Sequence, residues 1–143
     1  MRNSLTVAMV AAMIFSAACS SDSDDSTDVP GSGEIITETR PVSGYSSVKL
    51  LGPALLTIDL NGTESLSVTA DENLMQYITS EVQDGELVVG IPDAINALPT
   101  EPIWYQLTAE TMDELIVVGN SALEFLNVDT DTLYAVLDGN GRI

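Results

Sequence analysis

Leu115-Ile116-Val117-Val118-Gly119-Asn120-Ser121 and Ala135-Val136-Leu137-Asp138-Gly139-Asn140-Gly141 are one phrase written twice, twenty residues apart. Each copy is an apolar run closed by Gly, Asn and a small residue. Such a strand and turn, recurring at this period, is what one coil of a β-solenoid supplies, because stacked coils bury a continuous core. Gly and Asn suit the turn because they tolerate positive φ. A β-sandwich or meander with tight hairpins gives strands of similar length and spacing, so the repeat leaves both architectures open.

The same texture extends back to Glu34. Leu56, Ile58 and Leu60 alternate with Thr57 and Asp59, and Leu66, Val68 and Ala70 alternate with Ser67 and Thr69. Leu87, Val89 and Ile91 form another set, as do Ile103, Tyr105 and Leu107. Period two predicts strands with one buried face. The stretch Asp71 to Ile78 predicts a short helical turn before a strand from Tyr77 to Val82. Pro92 to Pro102 reads as a loop, with room for a helical turn at Asp93 to Asn96. The fold class is therefore all-β, and the folded domain is expected over residues 34–143.

Ahead of that domain the composition shifts. Residues 20–33 are Ser, Asp, Gly and Thr with a single apolar side chain, Val29, and Pro30. They offer too little to bury and predict an acidic, disordered spacer over 19–33. Asp22, Asp24, Asp25 and Asp28 lack the turn glycine and bidentate Glu that a calcium loop places, so a solvated tail is the simpler reading. No metal or cofactor is expected.

Residues 1–18 read as a secretory signal. Arg2 is the only charge, Leu5 to Ala18 are apolar or small, and the run is shorter than the ~20 residues of a membrane-spanning helix. It closes on Ser16-Ala17-Ala18-Cys19, which resembles a bacterial lipoprotein box. The resemblance implies cleavage after Ala18 and lipid attachment at Cys19. Ser16 stands where the box usually has Leu, a departure that bears on how efficiently the site is processed. Ordinary cleavage with Cys19 as bystander is the alternative, but the chain's single cysteine sits where the signal ends. It cannot form an internal disulfide. One acyl chain binds a membrane only marginally, whereas two or three anchor it. Ser20, where Asp would imply inner-membrane retention, makes the outer membrane of a bacterial envelope the expected location.

Formal net charge is −18, and past the signal only Arg40, Lys49 and Arg142 stand against all 22 acids. Nucleic acid is excluded as a partner, since phosphate binding needs Lys and Arg. There is no histidine, which removes the usual general base at neutral pH. Gly139-Asn140-Gly141 lacks a phosphate loop's lysine. The serines have no base partner. Carboxylates remain, and Asp129 and Asp131, two apart, would point the same way on a strand, but a solvated turn is the simpler reading. Trp104 and Tyr105 are adjacent, so on a strand one packs inward. The other is an exposed aromatic at a strand edge or a platform on which a sugar stacks. Asn61-Gly62-Thr63 fits a glycosylation sequon and a tight turn, and the turn is preferred.

Taken in order, Arg40-Pro-Val-Ser-Gly-Tyr-Ser-Ser-Val-Lys49, Leu55-Leu-Thr-Ile-Asp-Leu60, Leu66-Ser-Val-Thr-Ala-Asp-Glu-Asn-Leu74, Val82-Gln-Asp-Gly-Glu-Leu-Val-Val89 and the two Gly-Asn phrases resemble the head GIN domain. That domain of unknown function, described as an autotransporter adhesin head, is common in lipoproteins of Bacteroidetes. The resemblance covers residues 31–143 and implies a right-handed, single-stranded β-helix-like solenoid. Members continue with further coils after the Gly-Asn-Gly turn, so it also implies a solenoid incomplete at its C-terminal end, its last strand frayed or prone to pairing. Fold does not fix function. The expectation is a non-enzymatic envelope lipoprotein, joined to the membrane by its anchor and binding a glycan or protein. The alternative is a polysaccharide lyase or glycosidase on a β-helix, which would need a facing carboxylate pair or a basic proton abstractor.

Overall fold

The computed structural model describes residues 26–127, 131–140 and 142. The signal segment, Ala18, Cys19 and Asp129 lie outside them. The described chain is all-β, with open sheets and one short 3-10 helix, Glu72–Tyr77. Among the described residues, no helix is long and apolar enough to cross a membrane.

Alternation becomes burial strand by strand. In β3 (Ser47–Leu51), Val48 and Leu50 are buried, and in β4 (Leu55–Asp59), Leu56 and Ile58. Leu66, Val68 and Ala70 face inward from β5 (Ser65–Asp71), and Leu87 and Val89 from β7 (Glu86–Gly90). Tyr105 and Leu107 do so from β9 (Trp104–Thr108), Leu115 and Val117 from β10 (Glu114–Val118), and Leu123 from β11 (Ala122–Leu126). All belong to one core cluster. Each such Val or Leu contributes about 1.5–3 kcal/mol by leaving water.

The strands form two five-stranded sheets. With β2 (Ile35–Arg40), β6 (Thr79–Gln83) and β12 (Tyr134–Asp138), the first runs β12-β10-β3-β7-β6 and the second β11-β4-β9-β5-β2. The twice-written phrase becomes two neighbouring rungs. β10 and β12 pair in parallel, with Leu115 opposite Ala135 and Val118 opposite Asp138. β3 pairs in parallel with β10 on one side and β7 on the other. In the second sheet β4 pairs in parallel with both β11 and β9. Strands 3 and 4 and strands 10 and 11 thus run as successive legs, one in each sheet.

Two features depart from coil-by-coil winding. The β7 and β9 leg stacks on the opposite side of β3 and β4 from the β10 and β11 leg, so order in space is not order in sequence. One end of the stack is antiparallel, through β2 with β5, β5 with β9, and β6 with β7. The last is a hairpin whose turn residues Asp84 and Gly85 have φ of 52° and 80°. That fits the mirror-image turn preferred between antiparallel strands.

Glycines stack where the rungs turn the corner. Gly90 has φ of 146°, and a Cβ there would lie 2.3 Å from the Leu51 carbonyl oxygen. Gly139 has φ of 133°, and its Cβ would lie 2.6 Å from the Gly119 carbonyl oxygen. No side chain fits without displacing backbone, so glycine sets the spacing of the stacked turns.

The Pro92 to Pro102 loop needs correcting. It contains a strand, β8 (Ile95–Leu98), paired in parallel with β1 (Thr27–Pro30). The expected helical turn at Asp93 to Asn96 is a single hydrogen-bonded turn at Asp93 and Ala94, closed by the Ile95 amide donating to the Pro92 carbonyl at 3.0 Å, with Ile95 and Asn96 already in β8. β1 itself falls in the stretch read as spacer. Backbone pairing needs no apolar side chains, and each segment gives the other the hydrogen-bond partners it would lack alone.

Asp71 ties this corner down. It is fully buried, and its carboxylate accepts from the Gly33 amide at 2.8 Å, the Thr100 amide at 2.9 Å and the Thr100 hydroxyl at 2.7 Å. Burial pushes its pKa up, but the hydrogen bonds from Thr100 and Gly33 outweigh that and hold it below the usual value.

Candidate functional site

β9 runs through the middle of the second sheet, so its adjacent aromatics are divided by the pleat. Tyr105 lies opposite Leu56 and Val68 and is buried with them. Burial pushes its phenol up, with Arg40 pulling the other way. Trp104 points outward and is 39% exposed. It stands on an interior strand, not at the strand edge expected of an exposed aromatic.

Register places the outward residues in rows across the strands. One row is Thr37, Thr69, Trp104, Leu55 and Ala122, and the next is Thr39, Ser67, Gln106, Thr57 and Glu124. The indole Nε1 donates to the Thr57 hydroxyl at 3.0 Å. That bond leans the ring from its own row towards the next and fixes its orientation. The Thr37 and Thr69 hydroxyls meet at 2.8 Å, and those of Ser65 and Thr108 at 2.7 Å. Beside the indole, a shallow cavity of about 270 Å³ is lined by Leu55, Thr57, Trp104, Ala122 and Glu124. Leu55 also borders a wider depression of about 500 Å³ reaching Asn120, Asn140 and Arg142.

The charge on this face contrasts with the rest of the chain. Of the outward positions of β4, β5 and β9, only Asp59 and the buried Asp71 are ionisable. Asp59 already accepts from the side-chain amides of Asn127 at 2.9 Å and Asn61 at 3.4 Å. Glu124, on β11, is the free acid at the margin.

Other candidates fall elsewhere. Asp131 is exposed, and its partner Asp129 is outside the described residues. Arg40 donates to the Met75 carbonyl at 3.0 Å and pairs with Glu38 at 3.1 Å, closing the core beneath β2. Asn61 accepts from the Thr63 amide at 3.1 Å around Gly62 at φ of 86°, a tight turn. Among the described residues no group of three or more His, Cys, Asp or Glu could hold a metal ion. The sequence missed Asp71, whose partners lie 38 and 29 residues away. Its only local signal was an acid at the end of an alternating strand.

Residues 44–143 match the family model described as "Putative auto-transporter adhesin, head GIN domain". The fold is similar to a solved structure titled "putative adhesin" from Bacteroides fragilis, with TM-score 0.69 and 20% identity, covering 79% of this chain and 53% of that one. A "putative adhesin" from Parabacteroides merdae gives TM-score 0.65 and 22% identity, covering 80% and 55%. A "putative lipid binding protein" from Parabacteroides distasonis gives 0.62 and 22%, covering 69% and 44%. The chain thus spans about half the length of these structures. No curated protein gives a significant match.

Proposed function

The chain belongs to the head GIN domain family, and on that premise we propose that it is a bacterial envelope lipoprotein, anchored through Cys19 at the outer membrane, whose β-solenoid module is a non-enzymatic surface-binding element. Parallel register between β7, β3, β10 and β12, and between β9, β4 and β11, supports the solenoid over a sandwich. So does the tight glycine stacking at Gly90 and Gly139. The antiparallel end is read as a cap that covers the stack, as solenoid ends require.

The observation that carries the binding role is the outer face of the second sheet. It exposes an orientation-fixed aromatic beside a shallow cavity and is poor in charge within a chain of net charge −18. Faces with pre-oriented aromatic anchors suit recognition, because little ordering is needed on binding. The polysaccharide-lyase alternative needs a free basic side chain; Arg40 is engaged with Met75 and Glu38, which leaves that reading only Lys49 on β3 and Arg142.

Metabolic labelling with an alkyne fatty acid in a Gram-negative host tests the anchor. The full chain should take up label and fractionate with outer membrane, while Cys19→Ala should take up none and leave the membrane fraction. Unlabelled wild-type chain in the soluble fraction would defeat the lipoprotein reading.

A further inference from the structure

We infer that the Trp104 face of the second sheet is a binding platform for a neutral, extended, β-linked oligosaccharide lying across the strands. Three observations converge. The indole is exposed and held by its hydrogen bond to Thr57, so its π face is presented without rotamer search. A pyranose ring has one face rich in C–H groups, and these pack on the negative face of an aromatic ring.

The flanking positions are neutral hydrogen-bonding groups. Gln106, Thr57, Ser67 and Thr39 form the row beside Trp104 and supply both donors and acceptors for sugar hydroxyls. Within each row the side chains repeat at the strand spacing of about 4.8 Å, close to the repeat of an extended β-linked glycan. Successive sugars can therefore meet successive strands.

Charge selects the class. An anionic glycan would approach a chain of net charge −18 and meet, among the described residues, a single cation at the margin of this face, Arg142 level with Ala122. A cationic partner would find acids more densely elsewhere and only Glu124 free beside the cavity. Glu124 and Leu55 instead bound the platform, one accepting hydroxyls and the other supplying an apolar floor.

This deepens the surface-binding reading and depends on it only for where the ligand is met. Trp104 is the sole tryptophan of the chain, so its fluorescence reports this face alone. Cellohexaose, chitohexaose and xylohexaose would be titrated against the full chain, with acrylamide quenching as the readout. A heparin oligosaccharide and a chitosan hexamer supply the charged arms. At least one neutral hexasaccharide is expected to shield the indole at millimolar concentration, equally at low and high salt. Calorimetry should show Trp104→Ala losing about tenfold in affinity, the scale of one lost aromatic contact. Thr57→Val, which frees the indole and leaves the fold intact, should lose a smaller factor. Failure of all three neutral sugars to shield the indole overturns the inference, as does shielding by a charged oligomer alone or shielding that vanishes in salt. None of those results touches fatty-acid labelling at Cys19, so the two readings fail separately.

Discussion

Replacing Asp71 should loosen the corner that joins the N-terminal strand to the sheets. Its carboxylate satisfies the Gly33 amide, the Thr100 amide and the Thr100 hydroxyl, and it is fully buried. Asp71→Ala leaves two backbone donors without their acceptor. Buried unsatisfied donors cost about 1–3 kcal/mol each, but Gly33 and Thr100 are exposed residues whose amides water reaches in part, so the loss should sit low in the summed range, about 2 kcal/mol. That is a large fraction of a typical domain's stability. Asp71→Asn keeps the volume but turns an amide group towards amide donors, so most of the loss should remain. The pH dependence gives a second handle. The folded carboxyl titrates below its usual value, so the folded state binds fewer protons than the unfolded one at acid pH. Its contribution is present above the unfolded pKa, near 4, and drains away as pH falls through the folded value. Urea unfolding at pH 7 and pH 3 measures both effects, and amide exchange at Gly33 and Thr100 shows whether loss is local. The account is refuted if Asp71→Ala unfolds within about 0.5 kcal/mol of wild type, the range of ordinary surface changes, or keeps the wild-type acid slope.

Three further outcomes follow from the packing. Gly90→Ala should destabilise by about 2–4 kcal/mol in chemical denaturation, because the added methyl meets the Leu51 carbonyl oxygen at 2.3 Å and φ is 146°. Leu50→Ala, emptying a fully buried site, should cost about 2–5 kcal/mol by the same measurement. The Tyr45 phenol is pushed up to about 12 by burial and by Glu64, against a bond to Ser65. A group with a raised folded pKa loses its contribution as pH rises, so stability should drop between about pH 10 and 12 in wild type. Urea unfolding across that range should show a shallower drop for Tyr45→Phe, with Tyr105, also pushed up by burial, keeping its own share.

What the sequence made legible was local. Period two identified the buried faces of the strands, and the Gly-Asn phrase marked two like strands while leaving their arrangement open; residues 115–118 and 135–138 pair in parallel as neighbours. Asp84-Gly85, a pair typical of tight hairpins, went unread in the sequence, and both residues adopt positive φ in the turn between β6 and β7. What stayed hidden depended on partners distant in sequence. The stretch 27–30 has one apolar side chain and looked like spacer, yet β8 supplies its hydrogen-bond partners 68 residues on. The same blindness covered the order of the rungs. Nothing local in Leu87 to Val89 says that it pairs with Val48 to Leu50 on the side away from Leu115.

The aromatic pair shows where the boundary falls. Alternation alone requires Trp104 and Tyr105 to face opposite ways, but not which one goes inside. Tyr105 is level with Leu56 on one neighbour and Val68 on the other, both of which point inward. Side chains level with each other across a sheet share a face, so register commits Tyr105 to the core and sends Trp104 out. The indole nitrogen could not have been buried cheaply without an acceptor. Outside, it finds the Thr57 hydroxyl. The exposed, fixed ring on which the ligand proposal rests therefore follows from pairing two strands about fifty residues apart, a fact no window along the chain contains.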